Sequence, residues 1–116
     1  MNEFLLLFKK NEPAGTPKPS PEQMQASMKL WMDWLGSIAA QNKLVSNGNR
    51  LYNDGVTVTP NEVITNGPYV EIKELIGGYS IIRAESQEEA VEFSKGCPIL
   101  QFGGSVEVRQ IMPMEM

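Results

Sequence analysis

The chain has 116 residues, of which 41% are hydrophobic and 21% charged, and its net charge is −4. These values are typical of one ordinary globular domain, so we expect a single domain over residues 1–116. The 10 basic residues are scattered apart from Lys9 and Lys10, which argues against a nucleic-acid-binding face. No apolar run approaches the roughly 20 residues of a membrane helix, and the lone Cys97 fits a reducing compartment. The sequence thus predicts a cytoplasmic protein without nucleic-acid or membrane partners.

The first half of the chain predicts a strand, a loop and a long helix. Residues 3–9 indicate a strand that is apolar on both faces, because residues 4–8 are all apolar. A proline-rich loop leads to Ser20, which together with Gln23 forms a capping box for a helix to about residue 42. One apolar stripe of this helix should face the core; its members are Met24, Met28, Trp31, Leu35 and Ile38.

The second half predicts a strand or hairpin in residues 44–65 that turns at Pro60, then a strand at 77–84. A short helix follows over 86–95, and the last strand covers 105–111. Right-handed crossovers place both helices on one face of an antiparallel sheet. The predicted fold class is therefore α+β, a ferredoxin-like βαββαβ arrangement.

A single layer of helices leaves the other face of this sheet open. Because the first strand is apolar on both faces, that open face should carry a contiguous apolar patch, which usually marks an interface. The simplest cover is a second copy of the chain, which predicts a homodimer of the dimeric α/β-barrel type. The alternative is that the loop over residues 43–67 folds back over the open face of a monomer.

The residue types argue against several classes of chemistry. The chain has no histidine, which is the commonest general base near neutral pH and the commonest metal ligand. Neither a metal-ligand spacing nor a phosphate-binding glycine loop occurs. We therefore expect no metal and no cofactor. Cys97 follows a helix end, where the helix dipole opposes a thiolate, so an inert thiol is expected there.

The blocks of the second half resemble the YCII-related family, in particular its DGPF branch. They are Asn66-Gly67-Pro68-Tyr69, Glu71-Ile72-Lys73-Glu74, Gly77-Gly78-Tyr79, residues 86–90, and the segment at 104–109 that ends in Glu107-Val108-Arg109. The resemblance implies a dimeric α/β barrel and a small cytoplasmic protein, with isomerases, oxygenases and dechlorinating enzymes in the wider superfamily. The chain departs from the pattern at Asn66 and Tyr69, which replace Asp and Phe. It also lacks the histidine of the catalytic dyad proposed for some relatives.

Six residues form the candidate ligand pocket: Asn66, Tyr69, Glu71, Lys73, Glu107 and Arg109. Arg109 could hold a carboxylate or phosphate in bidentate fashion, and Glu107, on the same strand face, could have a raised pKa. The structural alternatives are a tight turn at Asn66, a solvated edge at Glu71 and Lys73, and a salt bridge between Glu107 and Arg109.

Two functions remain open from the sequence. The first is a dimeric small-molecule-binding or regulatory module whose ligand is a small anion. The second is an isomerase or lyase in which Arg109 orients an anionic substrate and an acidic residue moves a proton, so whether the chain is an enzyme is undecided.

Overall fold

A computed structural model describes residues 1–11, 16–64 and 75–114. The helices and strands follow in this order: β1 Asn2–Lys10, α1 Pro21–Ala39, β2 Leu44–Arg50, β3 Thr57–Thr59, β4 Glu62–Ile64, β5 Leu75–Ala84, α2 Gln87–Ser94 and β6 Ser105–Gln110. A short 3₁₀ helix, Pro98–Phe102, connects α2 to β6. None of the described helices is long and apolar enough to cross a membrane.

The main sheet has four strands in the order β2-β5-β1-β6, and every neighbouring pair is antiparallel. Strands β1 and β5 therefore lie in the centre of the sheet, and β2 and β6 form its edges. This order and the two connecting helices confirm the predicted ferredoxin-like fold.

The segment predicted as a strand or a hairpin contains both. Strand β2 joins the edge of the main sheet, whereas β3 and β4 form a separate two-stranded hairpin. The hairpin turns at Pro60 and Asn61, and Asn61 has a positive φ of 71°, which asparagine tolerates better than most residues. Val58 in this hairpin is 72% exposed, so its side chain does not pack onto the open face of the sheet.

Local capping signals define both helix starts. Ser20 accepts a hydrogen bond from the backbone N–H of Gln23, whose side chain accepts one from the Ser20 N–H, so the predicted box is complete. At α2, Ser86 accepts from the N–H of Glu89. The Glu89 carboxylate accepts from the Glu85 N–H at 3.1 Å and also pairs with Lys43, in the connection between α1 and β2, at 2.6 Å.

The core lies between the sheet and the helix layer. Phe4, Leu6, Ile38 and Ile82 are fully buried there. Trp34 belongs to the same core cluster, and its indole N–H donates to the carbonyl of Phe93 at 2.9 Å. Full burial of each of these large apolar side chains stabilises the folded state by about 1.5–3 kcal/mol.

The predicted inner stripe of α1 was wrong in its first half. Met24 and Met28 are 49% and 60% exposed, whereas Trp34, which is not a member of the predicted stripe, is buried. Only the second half of α1 meets the sheet, where Trp31 and Trp34 pack edge-on against Phe8 with ring centroids 4.8 and 5.9 Å away. The apolar stripe of α1 is thus longer than the surface of the sheet against which it can pack.

Candidate functional site: the open face of the sheet

The two faces of the sheet differ sharply in burial. Along β1, the side chains of Phe4, Leu6 and Phe8 are buried beneath the helices, while Leu5 and Leu7 between them are only partly buried. Successive side chains of a strand point to opposite faces, so Leu5 and Leu7 lie on the face away from the helices. We call this surface the open face.

The register across three strands shows what the open face contains. Leu5 lies opposite Ile81 of β5 and Arg109 of β6, and Leu7 lies opposite Tyr79 and Glu107. Residues directly opposite each other project to the same face. The open face therefore has an apolar floor, and its members are Leu5, Leu7, Tyr79 and Ile81.

The packing of the two valines of β6 shows on which face the charged side chains of that strand lie. Val106 and Val108 pack against the hydrophobic core. Glu107 and Arg109 alternate with them and so project from the open face. Of the six predicted pocket residues these two are described; Asn66, Tyr69, Glu71 and Lys73 lie outside the described residues.

An ion-pair network borders the apolar floor along β1 and β6. The Glu107 carboxylate is 2.7 Å from the Lys9 ammonium and 3.2 Å from the Arg109 guanidinium. Hydrogen bonds from Lys9, and to a smaller degree from Arg109, lower the pKa of Glu107 below its usual value. The expected rise was therefore wrong, because two cations surround a carboxylate that remains open to water. The lowered pKa favours the ionised form of Glu107, which pairs with both cations.

Replacing Lys9 by methionine is expected to raise the pKa of Glu107 toward its ordinary value, and by more than Arg109→Gln does. A lowered carboxyl pKa means that Glu107 stabilises the fold above its unfolded-state pKa, and that this stabilisation is lost as the pH falls through the folded-state pKa. Carboxyl-detected NMR titration would measure both shifts. Lys29→Met, which removes the partner of Asp33 on α1, is the control and should leave Glu107 unchanged.

On the other side of the floor lies Arg83, which is not among the six predicted pocket residues. Arg83 lies opposite Glu3 of β1 and continues the alternation of Tyr79 and Ile81, so its side chain belongs to the open face. The Nε atom of Arg83 is buried and has no hydrogen-bond partner. Extending the strand alternation by two residues would have placed it there.

Tyr79 is fixed from the β2 side of the same face. The side-chain amide of Asn49 donates to the Tyr79 hydroxyl at 3.1 Å. The close approach of β2 to β5 depends on Gly48, which has a φ of +72° and where a Cβ atom would meet the Tyr79 carbonyl. Tyr79 therefore presents its ring and one hydrogen-bonded hydroxyl to the open face.

Cys97 is a structural thiol on the helix side of the sheet. Its residue is 2% exposed, and burial raises the pKa of its thiol to about 12. Since the thiolate is the reactive form, the expected inert character follows from desolvation more than from the helix dipole. The described residues include no group of three or more acidic, cysteine or histidine side chains that could hold a metal ion.

Alkylation would check this account of Cys97. We expect iodoacetamide at pH 8 to modify the folded protein at least about a hundredfold more slowly than the urea-unfolded chain, because burial suppresses both thiolate formation and access. Mass spectrometry can follow the reaction. Equal rates in the two states would contradict a buried, protonated thiol.

Comparison with solved structures supports the fold. The chain is similar to the 5-chloro-2-hydroxyhydroquinone dehydrochlorinase of Burkholderia phenoliruptrix, whose structure is a complex with 2,5-dihydroxybenzoquinone. The TM-score is 0.50 at 18% sequence identity, and the match covers 95% of this chain and 93% of that chain. At this identity the likeness concerns the fold alone.

Sequence comparison identifies the family. No curated protein has significant sequence similarity to the chain. The YCII-related domain, however, matches residues 3–115, which is nearly the whole sequence. The chain therefore belongs to the YCII-related family.

Proposed function

We propose that the chain is a homodimeric binding module in which two open faces stack and enclose a small organic anion. The observation that carries this proposal is an apolar floor, Leu5, Leu7, Tyr79 and Ile81, bordered by cations on both sides. One buried thiol and no second cysteine agree with a cytoplasmic location, which is part of the same proposal.

The second copy is the occupant that best fits the dimensions of the open face. The four strands have 9, 7, 10 and 6 residues, and with a rise of about 3.3 Å per residue and a spacing of about 4.8 Å they give a projected area near 500 Å². With the relief of its side chains, this approaches the roughly 800 Å² per partner of a standard interface. The molecule is only 19 Å thick in its thinnest dimension, which corresponds to two layers, so the sheet has a helix layer on one side alone.

The charges favour an anionic ligand. Lys9, Arg83 and Arg109 supply three positive charges to this face. Glu3 and Glu107 supply two negative charges. Stacking two such faces doubles the excess of one positive charge and removes it from water. A bound anion would offset that charge, whereas an uncharged ligand would leave it uncompensated.

Binding is favoured over catalysis by the state of Glu107. A general base works best when its pKa lies near the operating pH, but ion pairs lower the pKa of this carboxyl. The dehydrochlorinase of similar fold is an enzyme that was solved with a small quinone, so an isomerase or lyase activity built on Arg109 and an acidic residue is the second candidate.

Sedimentation velocity at micromolar concentrations, combined with methyl NMR, tests the proposal. We expect a dimer, and we expect small organic acids to shift the methyl signals of Leu5, Leu7 and Ile81 in a saturable way. A monomer at these concentrations, or shifts confined to the exposed methionines of α1, would refute it. Turnover that is lost in Arg109→Ala would instead favour the enzyme.

A further inference from the structure

We infer that the outer edge of β6 is a self-complementary contact through which two copies of this chain join their sheets side by side. Strand β6 lies at one end of the order β2-β5-β1-β6, and in the described part of the chain no strand pairs with its outer side. Such an edge presents backbone N–H and C=O groups that a further strand can bind. This contact is separate from the stacking of open faces and does not depend on it.

The hydrogen bonds to β1 show which backbone groups of β6 point outward. Directly after β6, the Ile111 N–H donates to the Glu3 carbonyl at 2.8 Å. Along an edge strand of an antiparallel pair, residues whose backbone groups bond to the neighbour alternate with residues whose backbone groups point away from it. The backbone groups of Val106, Val108 and Gln110 therefore point away from β1, toward the outer edge.

The two edges of the sheet differ in how well they could receive a second copy. The pairing of β2 with β5 shifts register at two places, and Gly48 of β2 has a φ of +72°. Bulges of this kind protect an edge strand from further pairing. The pairing of β6 with β1, in contrast, has no register shift, and β6 contains neither proline nor lysine. The β6 edge thus lacks these protections.

The charges of β6 select one register for the contact. Two antiparallel copies centred on Val108 place Glu107 of each strand directly opposite Arg109 of the other. Directly opposite side chains lie on the same face, so two ion pairs form on the side of the open face. The two neighbouring registers that keep the outward backbone groups paired would set Glu107 opposite Glu107, or Arg109 opposite Arg109. Like charges in these positions are destabilising.

The centred register also pairs all the outward backbone groups of the strand. Val108 pairs with Val108 of the second copy and Val106 pairs with Gln110, which gives about six hydrogen bonds, two from each pair. The Arg109 side chain is 70% exposed and can reach a second strand. A contact along six residues is small beside a standard interface. We therefore expect a dissociation constant on the order of 0.1–1 mM, so that the edges stay separate at micromolar concentrations.

Amide NMR of the full chain between roughly 0.05 and 1 mM tests the contact. We expect the amide signals of Val106, Val108 and Gln110 to shift as the concentration rises, and their hydrogen exchange to slow. The methyl signals of Leu5 and Leu7, which report the open face, should not change in parallel. If the three amides show no dependence on concentration over this range, the inference is wrong.

Charge reversal tests the register. Arg109→Glu and Glu107→Arg each set like charges opposite one another, so each variant should associate with itself about tenfold more weakly than the wild type, or weaker still. A mixture of the two variants restores both ion pairs. An isotope-labelled Arg109→Glu chain should therefore bind the unlabelled Glu107→Arg chain with about the wild-type affinity. Lys29→Glu, on the exposed side of α1, is the charge-matched control and should associate as the wild type does.

Circular dichroism verifies that each variant is folded. If Glu107→Arg does not fold, Gln110→Pro is an independent variant, because it removes an outward N–H without a loss of bonds to β1, and it should weaken association about tenfold. Single variants that associate as the wild type does, or a mixture that associates no better than either variant alone, would overturn the inference. Neither result bears on the stacking of open faces, which the methyl signals report separately.

Discussion

Replacing Leu7 by glutamate is expected to separate the proposed dimer into folded monomers. Leu7 lies in the middle of the open face, between Tyr79 on β5 and Glu107 on β6. The new carboxylate would be placed directly opposite an existing one, and the two-fold axis would bring it into the interface twice. An uncompensated buried charge costs about 3–5 kcal/mol, so two of them should weaken association more than about a thousandfold.

Sedimentation velocity would measure this change, and circular dichroism would check that the subunit stays folded. Met28→Glu is the matched control because Met28 is 60% exposed on α1, where a carboxylate remains in water. We expect that variant to associate as the wild type does. If Leu7→Glu keeps the wild-type dimer affinity, the open face is not the interface.

The neighbouring substitution Leu6→Ala is expected to lower the free energy of unfolding by about 2–5 kcal/mol. Leu6 is fully buried in the same cluster as Phe4 and Ile82, and truncating it leaves a cavity that rigid neighbours cannot fill. Its partner in the comparison, Leu7→Ala, changes an adjacent residue of identical type on the opposite face. The pair therefore separates core packing from association.

Urea denaturation at several protein concentrations would distinguish the two effects. Leu6→Ala should lower stability by a similar amount at every concentration, because it acts within one subunit. Leu7→Ala should mainly lower the part of the unfolding free energy that increases with protein concentration. That part arises because dimerisation stabilises the native state by mass action. If Leu6→Ala and Leu7→Ala lowered the unfolding free energy of the dissociated chain equally, the assignment of Leu6 to the core and Leu7 to the open face would be wrong.

Much of the fold was predictable because local and long-range signals agree. The alternation of apolar residues, the Ser20 capping box and the order of the elements all led to one topology, and the structure confirms it. The alternation along β6 also predicted that Glu107 and Arg109 share one strand face, and the packing of Val106 and Val108 identifies it as the open face. A period-two pattern fixes a side-chain direction once one residue is known to be in the core.

Other features depended on distances that the sequence does not contain. The inner stripe of α1 was predicted over its whole length, but periodicity does not reveal where the packing surface ends, and Met24 and Met28 lie beyond it. The pKa of Glu107 depends on Lys9, almost a hundred positions earlier in the chain, which only the pairing of β1 with β6 brings close. Extending the alternation of β5 would have placed Arg83 on the open face, but the missing partner of its Nε atom is a property of the folded environment.

Isotope-filtered NOE spectroscopy on a mixture of labelled and unlabelled chains tests the stacking of the open faces most directly. The account predicts intermolecular NOEs among the methyl groups of Leu5, Leu7 and Ile81 and the ring of Tyr79. Intermolecular NOEs to the methionines of α1 with none to the open face would contradict it, as would the complete absence of contacts between chains.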